Sequence, residues 1–391
     1  MQQGINQHLK LYKPFSDHIK RGLLMKILFM VSSISTKGGA ERVISIMANY
    51  WVEKDWEVVI ATIDDGRVPP AYKLHSKVKL NHLGLLPDIS DNIGAGLSSP
   101  LVLNKLIGYF SKSKPDVIVS FMKVTNIVVL LATLKMSIPV IISERNNPVK
   151  APINPLNKRL RKWLYPKASA VVCQTQGMLD YFVHVNGVVI PNPVQKPIID
   201  NISPEIELPE SKLLFAVGNM SKRKVKQKGF DLLIHVFEKL ARKFDDWTLI
   251  VLGDGPERIS LKNMVDNYNL TDRVCLPGSV NDIHSILQLG DLFVLSSRYE
   301  GFPNALCEAM ACGLPAVSFD CPTGPSDIMR NGIDGLLVPP EDVKSLEASL
   351  GRLMANKQTR DEMGLHAQEI VNRFSVQKVM GLWENLLSNF R

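Results

Sequence analysis

Short apolar runs alternate with amphipathic stretches along this chain, and the alternation starts twice. The first series opens with KILFMVSS and continues through ERVISIMANYWVEKD, WEVVIATI, DVIVSF, PVIISE and AVVCQT. A proline-rich acidic stretch, KPIIDNISPEIELPES, interrupts it, and a second series opens with KLLFAVGN. Buried strands that alternate with helices are typical of a parallel sheet covered by helices on both faces. The sequence therefore predicts an α/β fold of two doubly wound, Rossmann-like domains.

The domain limits follow from this pattern, because 391 residues are too many for one ordinary core. We predict an N-terminal domain over 25–196 and a C-terminal domain over 197–374, with a helix in 375–391 packing back on the first domain. Residues 1–24 precede a second methionine, Met25, and we predict that they are a disordered leader or an upstream start. Doubly wound folds bind ligands at the carboxyl ends of their strands, so we expect the site in the cleft between the domains.

Charge is divided unequally between the two halves. Residues 1–196 hold 25 Lys and Arg against 12 Asp and Glu, a net charge of +13. The remaining residues hold 21 against 26, a net charge of −5. This asymmetry favours an anionic partner for the first half. No nucleic-acid-binding motif is recognised, so nucleic acid is not expected as that partner.

The stretch NPLNKRLRKWLYPKAS places cations beside apolar side chains at helical spacing. The cations are Lys158, Arg159, Arg161, Lys162 and Lys167, and the apolar residues are Leu156, Leu160, Trp163 and Leu164. Such a helix can pack against its own domain or lie on an anionic membrane, and the basic first half favours the membrane. No apolar run is long enough for a membrane-spanning helix. Five scattered cysteines with no C-x-x-C pair indicate a reducing compartment.

The segment RYEGFPNALCEAMACGLP, which follows the apolar run LFVLSS, holds two glutamates eight residues apart, Glu300 and Glu308. It predicts a strand, a turn and then a helix with Asn304 as its N-cap. Unpaired backbone amides at the helix start, together with the helix dipole, form a site for an anion such as a diphosphate. The amides concerned are those of Gly301, Phe302, Asn304, Ala305 and Leu306. Carboxylates on both flanks suit a ligand with hydroxyl groups on either side of a diphosphate.

Other segments also contribute candidates for the cleft. STKGGAERV places Gly38 and Gly39 after the first strand, where backbone can approach a ligand, and Glu41 and Arg42 are expected to pair or cap the next helix. The loop SERNNP is expected to turn Glu144 and Arg145 towards the cleft as acceptor contacts.

Metal ligands and a histidine base are not expected. The adjacent acidic pairs, Asp64-Asp65 and Asp245-Asp246, fall in turns, so no metal site is predicted. None of His75, His82 and His184 is expected at a strand end, so no base is assigned.

The segment EGFPNALCEAMACGLP resembles the signature of the retaining glycosyltransferases of family 4, which have the two-domain GT-B fold. The resemblance extends from Met25 through STKGGAERV, AVGN…KQKGFDLLIHVF, VLGDGPER, LPGSV and NGIDGLLVPPED, in that order. It implies that Glu308 holds the ribose of a donor and that Glu300 lies by the donor sugar.

The resemblance also implies cations on the donor diphosphate. Lys228 fits the family's lysine, but Asn219 stands where the family has an arginine, in a loop SKRKVKQKG that is longer than usual. Arg223 is our candidate to replace that arginine, and Gly278 and Val280 of the LPGSV loop are expected to contact the donor.

The activity that the resemblance implies is that of a hexosyltransferase acting with retention and without a cofactor or metal. The expected donor is a UDP-sugar carrying N-acetylgalactosamine, galactose or glucose. The expected acceptor is a lipid-linked or polysaccharide glycan of bacterial surface polysaccharide or lipopolysaccharide, at the cytoplasmic face of the inner membrane with the enzyme bound peripherally. A GT-B UDP-sugar epimerase and a non-catalytic sugar-nucleotide-binding protein are the alternatives.

Overall fold

The computed structural model describes residues 25–85, 99–150, 153–197 and 205–390. The predicted leader, 1–24, and part of the predicted linker lie outside these residues. The side chain of Arg223 is also outside them, although its backbone is described.

The N-terminal domain is a parallel sheet between layers of helices, with strand order β3-β2-β1-β4-β5-β6-β7. Its strands are β1 (Lys26–Val31), β2 (Glu57–Thr62), β3 (Lys79–His82), β4 (Val117–Phe121), β5 (Val140–Ser143), β6 (Ala170–Cys173) and β7 (Gly187–Val189). Its helices are α1 (Gly39–Glu53), α2 (Pro100–Ser113), α3 (Lys123–Thr133), α4 (Pro155–Leu164) and α5 (Gln176–Leu179).

The C-terminal domain repeats this architecture, with strand order β10-β9-β8-β11-β12-β13, again all parallel. Its strands are β8 (Lys212–Val217), β9 (Trp247–Leu252), β10 (Val274–Gly278), β11 (Leu292–Leu295), β12 (Ala316–Phe319) and β13 (Gly335–Val338). Its helices are α6 (Lys222–Lys228), α7 (Phe230–Ala241), α8 (Arg258–Asn267), α9 (Ile283–Leu287), α10 (Asn304–Ala311), α11 (Pro325–Ile328), α12 (Val343–Ala355), α13 (Lys357–Ala367) and α14 (Ile370–Arg373).

The central strands are apolar along their whole length because both faces of each sheet are covered. Every residue of β4, β9 and β11 is buried. Helices such as α7 bury one face and leave the other partly accessible, as their spacing of apolar residues predicts. The predicted pair of doubly wound domains is confirmed.

Two differences from the sequence-based expectations concern short elements. The edge strand β3 was not predicted, and its side chains are largely exposed, so it carries no run of buried apolar residues. The basic segment SKRKVKQKG, which we expected to be a loop, contains the short helix α6. Gly229 ends this helix in the left-handed region, at φ 66°, which is the common way to stop a helix.

The chain crosses between the domains twice, and the two crossings lie side by side. Val194, after β7, donates its amide proton to the carbonyl of Phe374 at 2.8 Å. The last helix, α15 (Val376–Ser388), then returns to the N-terminal domain, where Trp383 and Leu387 are buried in the same cluster as Phe29 and Trp51. The carboxyl edges of the two sheets are thereby held opposite each other.

Candidate active site in the interdomain cleft

Polar and backbone contacts join the two domains across the cleft. The side-chain amide of Asn192 donates to Oδ1 of Asn304 at 2.7 Å, and that of Asn147 donates to the carbonyl of Pro322 at 3.1 Å. Gly301 lies against the backbone of Arg145 so closely that a Cβ on it would be 2.7 Å from the Arg145 carbonyl oxygen. The cleft is therefore closed around the residues that the sequence singled out.

Glu300 and Lys228 form an ion pair at the floor of the cleft. Glu300 follows β11, is only 6% exposed, and accepts hydrogen bonds at Oε1 from Nζ of Lys228 and from Oγ of Ser297, both at 2.7 Å. Lys228 is the last residue of α6, and its side chain is 15% exposed. Charges this shielded from water interact more strongly than surface pairs. Ser297 was missed in the sequence because a serine near a strand end carries no distinctive signal.

The turn after β11 holds Lys228 in place. Ser296 donates its hydroxyl proton to the carbonyl of Lys228 at 2.9 Å, and the amide of Arg298 donates to the carbonyl of Gln227 at 2.8 Å. Arg298 also forms a two-point ion pair with Asp231 at the start of α7, with N–O distances of 2.9 and 2.7 Å. The helix that carries the lysine is thus attached to the loop that carries the glutamate.

Helix α10 begins beside this pair, but its start differs in detail from the prediction. Pro303 is the N-cap, and Asn304, predicted as the cap, is the first helical residue. The amide of Leu306 donates to the carbonyl of Pro303 at 3.1 Å, so it is not one of the unpaired donors. Within the described residues, the amides of Phe302, Asn304 and Ala305 have no hydrogen-bond acceptor. These amides and the helix dipole can hold an anion.

The glycine loop of the N-terminal domain faces the start of α10. A Cβ on Gly39 would lie 2.5 Å from Nδ2 of Asn304, so a larger residue here would displace the Asn304 side chain. Gly38 is the N-cap of α1. Glu41, in the first turn of α1, accepts a hydrogen bond from the Thr36 hydroxyl at 3.1 Å. Arg42 does not pair with Glu41: its guanidinium donates to Glu308 of α10, across the cleft.

Glu308 faces the gap between the domains. With Arg42, Asn304 and His284 it lines a small cavity between the domains. Burial and the neighbouring Arg42 charge lower the pKa of His284. A carboxylate that lines such a cavity is placed to accept hydrogen bonds from a ligand.

The LPGSV loop borders the same gap. Gly278 has a positive φ of 104° and ends β10, and its carbonyl accepts from the amide of Gly253 at 2.9 Å. Nζ of Lys37, in the N-terminal domain, donates to the carbonyl of Val280 at 3.4 Å and to Oδ1 of Asn281 at 2.6 Å. Lys37 and Asn192 are interdomain residues that the sequence analysis did not identify.

The expectation that Glu144 faces the cleft is wrong. Glu144 is 2% exposed, and its carboxylate accepts a hydrogen bond from the Tyr165 hydroxyl inside the N-terminal domain. Burial raises the pKa of Glu144. Arg145 turns the same way: its guanidinium lies 4.9 Å from the centre of the Phe121 ring and donates to Asn192, and burial lowers its pKa to about 9. The backbone of Arg145 lies against Gly301 of the C-terminal domain.

Four further residues from the sequence analysis have the following places in the fold, and His82 alone among them departs from expectation. His82 does end a strand, β3, where its Nδ1 lies 2.9 Å from Oδ1 of Asp64. Asn219 uses its side chain to accept from the amide of Ser221 at 2.9 Å, before α6. The role of Arg223 stays a prediction, since its side chain lies outside the described part. Phe302 is buried and packs its ring edge-on against Phe374, with ring centres 5.8 Å apart.

Comparison with known proteins identifies the fold and the class. Residues 37–196 match the family model described as Glycosyltransferase Family 4, and residues 199–370 match Glycosyl transferases group 1. The amylovoran biosynthesis glycosyltransferase AmsD of Erwinia amylovora is 24% identical over 93% of this chain and 100% of its own length.

Two other curated proteins extend the comparison. An α-1,4-N-acetyl-D-galactosaminyltransferase of Campylobacter jejuni, named for an undecaprenyl-diphosphate-linked glycan, is 26% identical over 94% of this chain and 99% of its own. An exopolysaccharide phosphotransferase of Streptomyces coelicolor is 37% identical, but over only 49% of this chain and 20% of its own.

Solved structures share the architecture over nearly the whole chain. Sucrose-phosphate synthase from Thermosynechococcus elongatus superimposes with a TM-score of 0.78 at 19% identity, covering 93% of this chain and 99% of that one. HepE from Anabaena, solved in complex with UDP, superimposes with a TM-score of 0.75 at 19% identity, covering 93% and 100%. The fold is therefore GT-B, with the two Rossmann-like domains facing each other.

The family models and the curated relatives define the activity class. The protein is an enzyme, a glycosyltransferase, and its relatives connect it with bacterial polysaccharide biosynthesis.

Proposed function

We propose that this enzyme is a hexosyltransferase that moves a sugar from a UDP-sugar to a hydroxyl group of a lipid-linked or polysaccharide acceptor, with retention of configuration. The observation that carries the proposal is the buried Lys228–Glu300 ion pair beside the free amides at the start of α10. A cation and helix amides stabilise the negative charge that develops on a departing diphosphate. With the diphosphate bound at these groups, Glu300 lies beside the donor sugar and Glu308 lies on the other side of the diphosphate.

The reaction needs no group beyond donor, acceptor and these residues. The bond between the anomeric carbon and the β-phosphate oxygen breaks, and the acceptor oxygen bonds to that carbon on the same face. The acceptor proton passes to the departing phosphate, so no histidine base is required. Lys228 and the amides of Phe302, Asn304 and Ala305 hold the phosphate charge. We propose no catalytic metal, because this cationic site supplies the charge stabilisation that a metal gives in other transferases.

The other cleft residues suit the nucleotide. Glu308, with its carboxylate on the cavity wall, accepts hydrogen bonds from the ribose hydroxyls. The backbone of Gly278 and Val280 borders the base, and the loop of Gly38 and Gly39 covers the diphosphate. UDP in the HepE complex and the lipid-linked glycan in the name of the Campylobacter relative support this choice of donor and acceptor. N-acetylgalactosamine, galactose and glucose remain the proposed sugars.

Hydrolysis and transfer assays with a panel of UDP- and GDP-sugars, with and without EDTA, test the proposal. We expect slow hydrolysis of one UDP-sugar, unaffected by EDTA. Glu300→Ala should reduce turnover by about 100-fold or more, because it removes a group next to the reacting carbon. Glu308→Gln should mainly raise the donor KM, by about tenfold, the loss expected for a hydrogen bond to a charged group.

Asp361→Asn, at an exposed carboxylate of α13, is the matched control and should behave as wild type. Epimerised free UDP-sugar without an acceptor would indicate an epimerase instead. Tight donor binding with neither hydrolysis nor transfer would indicate a non-catalytic binding protein. Equal kinetics in wild type, Glu300→Ala and Glu308→Gln would contradict the assigned site.

We also propose that the enzyme binds peripherally to the anionic cytoplasmic face of the inner membrane, through α4. Arg161 and Leu164 of this helix are buried, whereas Leu156 is 60% and Trp163 is 52% exposed. Lys158, Arg159, Lys162 and Lys167 are exposed beside them, and Nζ of Lys167 lies 5.3 Å from the centre of the Trp163 ring. In the described residues no helix is long and apolar enough to cross a membrane. Exposed Trp and Leu among cations suit a membrane surface.

Vesicle co-sedimentation tests this proposal. Binding to vesicles with one third phosphatidylglycerol should exceed binding to pure phosphatidylcholine vesicles. The double variant Arg159→Ser, Lys162→Ser should lose most of this difference, since each cation near an anionic surface contributes about 1 kcal/mol. The double variant Lys344→Ser, Arg352→Ser removes two exposed cations from α12 and should bind as wild type does. Equal binding by all three proteins would exclude α4 as the membrane contact.

A further inference from the structure

The first turn of α1 reaches across the cleft to α10 through a single ion pair. The guanidinium of Arg42 donates from Nη1 to Oε1 of Glu308, which is 266 positions away in the chain. The two side chains are 18% and 14% exposed. Because Arg42 belongs to the N-terminal domain and Glu308 to the C-terminal domain, the contact exists only when the cleft is closed.

Only one oxygen of the Glu308 carboxylate is used by Arg42. Within the described residues, no hydrogen bond is made to the second oxygen, Oε2. The carboxylate lines a small cavity together with Asn304 and His284, so a ligand that enters there meets a carboxylate with one oxygen engaged and one available.

The surroundings of Arg42 make the pair sensitive to what fills the cavity. Burial lowers the pKa of Arg42, and the nearby Asp282 counteracts this effect. A partly buried ion pair adds little to stability by itself, since the desolvation of both charges offsets their attraction. A ligand that displaces water from the cavity lowers the local dielectric constant and strengthens the attraction. The ion pair between Arg42 and Glu308 therefore strengthens when a ligand binds, while in the empty enzyme it is too weak to keep the cleft permanently closed.

We propose that Arg42 is a positioning residue for the donor: it fixes Oε1 of Glu308 so that Oε2 accepts hydrogen bonds from the ribose hydroxyls. The inference rests on the proposed function, in which Glu308 binds the ribose. It adds that the ribose is held at full strength only in the closed cleft, because the N-terminal domain supplies the residue that orients the carboxylate. Donor binding and domain closure are then coupled through Arg42.

The test compares the binding of UDP and of 2′,3′-dideoxy-UDP by calorimetry. Wild type should bind UDP about tenfold or more tightly than the dideoxy analogue, the factor that a hydrogen bond to a charged group provides. Arg42→Met keeps an unbranched apolar stem and removes the charged guanidinium. This variant should lose about tenfold in affinity for UDP and less than twofold for the analogue. The ratio of the two affinities should therefore fall to near one. Arg42→Lys should restore part of the ratio.

Lys54→Met is the matched control. Lys54 is the C-cap of the same helix and pairs with Glu384 of α15 at 2.7 and 2.9 Å, away from the cleft. This variant should keep both affinities. Thermal melting of each variant shows that it is folded.

The calorimetry results distinguish a failure of the role given to Arg42 from a failure of the proposed function. An equal loss of both ligands in Arg42→Met would mean a merely structural role, and tighter UDP binding would mean that Arg42 competes with the ribose; either result overturns the inference alone. Wild-type protein that binds neither ligand would overturn the proposed function and the inference with it.

Discussion

Glu144 and Tyr165 show how a single neighbour decides the role of a charged residue. Glu144 follows β5 at the carboxyl edge of the N-terminal sheet, where a ligand contact is expected. Its carboxylate instead turns inward to the hydroxyl of Tyr165, 21 positions further on. Burial raises the pKa of this carboxyl group, while the Tyr165 hydrogen bond partly opposes the rise. A raised folded-state pKa means that the ionised carboxylate costs stability at neutral pH.

Tyr165→Phe should therefore destabilise the protein in a pH-dependent way. Loss of the hydroxyl raises the folded-state pKa of Glu144 further, so the penalty of the charged form grows at pH 7.5, by about 1–3 kcal/mol. As the pH falls through that pKa the carboxyl group takes up its proton, and the deficit relative to wild type should shrink. Urea denaturation at pH 7.5 and 5.5 measures it. Tyr109→Phe, which removes a hydroxyl bonded to Asn81 at an exposed site, should show a small effect that is independent of pH.

Some residues of the site were predictable from the sequence for a physical reason. Glu300 lies in the turn after a buried strand, a local feature that the order of residues displays. Lys228 was identified through the family resemblance, since the helix that it ends was expected to be a loop. Asn192 and Arg42 act through partners 112 and 266 positions away. Which side chains meet across a cleft depends on how two domains are oriented, and a single sequence carries no signal for that.

At the scale of elements, the junction between α6 and α7 departs most from the expectation. The segment has one apolar residue, Val225, so no helical period is visible in it. Its helix is stabilised from outside, by the glycine that ends it and by the hydrogen bonds from Ser296 and Arg298. The long helices and buried strands were predictable because the spacing of their own apolar residues matches the face that each element buries.

Alanine at two glycines should have opposite effects on stability. At Gly229 a Cβ would lie 2.1 Å from the carbonyl oxygen of Ser296, and φ is 66°, so Gly229→Ala should destabilise the C-terminal domain by about 1–3 kcal/mol. Gly108 lies within α2 with nothing within 4 Å of its Cβ position, so Gly108→Ala should stabilise the protein by about 0.5–1 kcal/mol. Chemical denaturation of both variants measures the difference. Equal effects would mean that the turn at Gly229 relaxes freely.

At the scale of the whole molecule, the two domains are joined by more than one covalent crossing. The strand-like contact between Val194 and Ser375 places the two crossings together, and α15 extends the N-terminal core with residues from the far end of the chain. The two adjacent crossings therefore form a paired hinge on one side of the cleft. On the other side, the contacts of Asn192, Asn147 and Arg42 hold the cleft closed. This arrangement allows the domains to rotate as rigid bodies while each sheet stays intact.

Trp383→Ala tests whether α15 is part of the N-terminal domain energetically as well as spatially. Trp383 is fully buried in the cluster that contains Phe29 and Trp51, so its removal should cost about 3–5 kcal/mol. The loss should fall on the N-terminal domain: hydrogen exchange should accelerate in β1 and β4 and stay slow in β8 and β9. Trp163→Ala, at a half-exposed tryptophan of α4, should change stability by no more than about 0.5 kcal/mol. Faster exchange confined to β8 and β9 would instead assign α15 to the C-terminal domain, and the paired hinge would then lie after it.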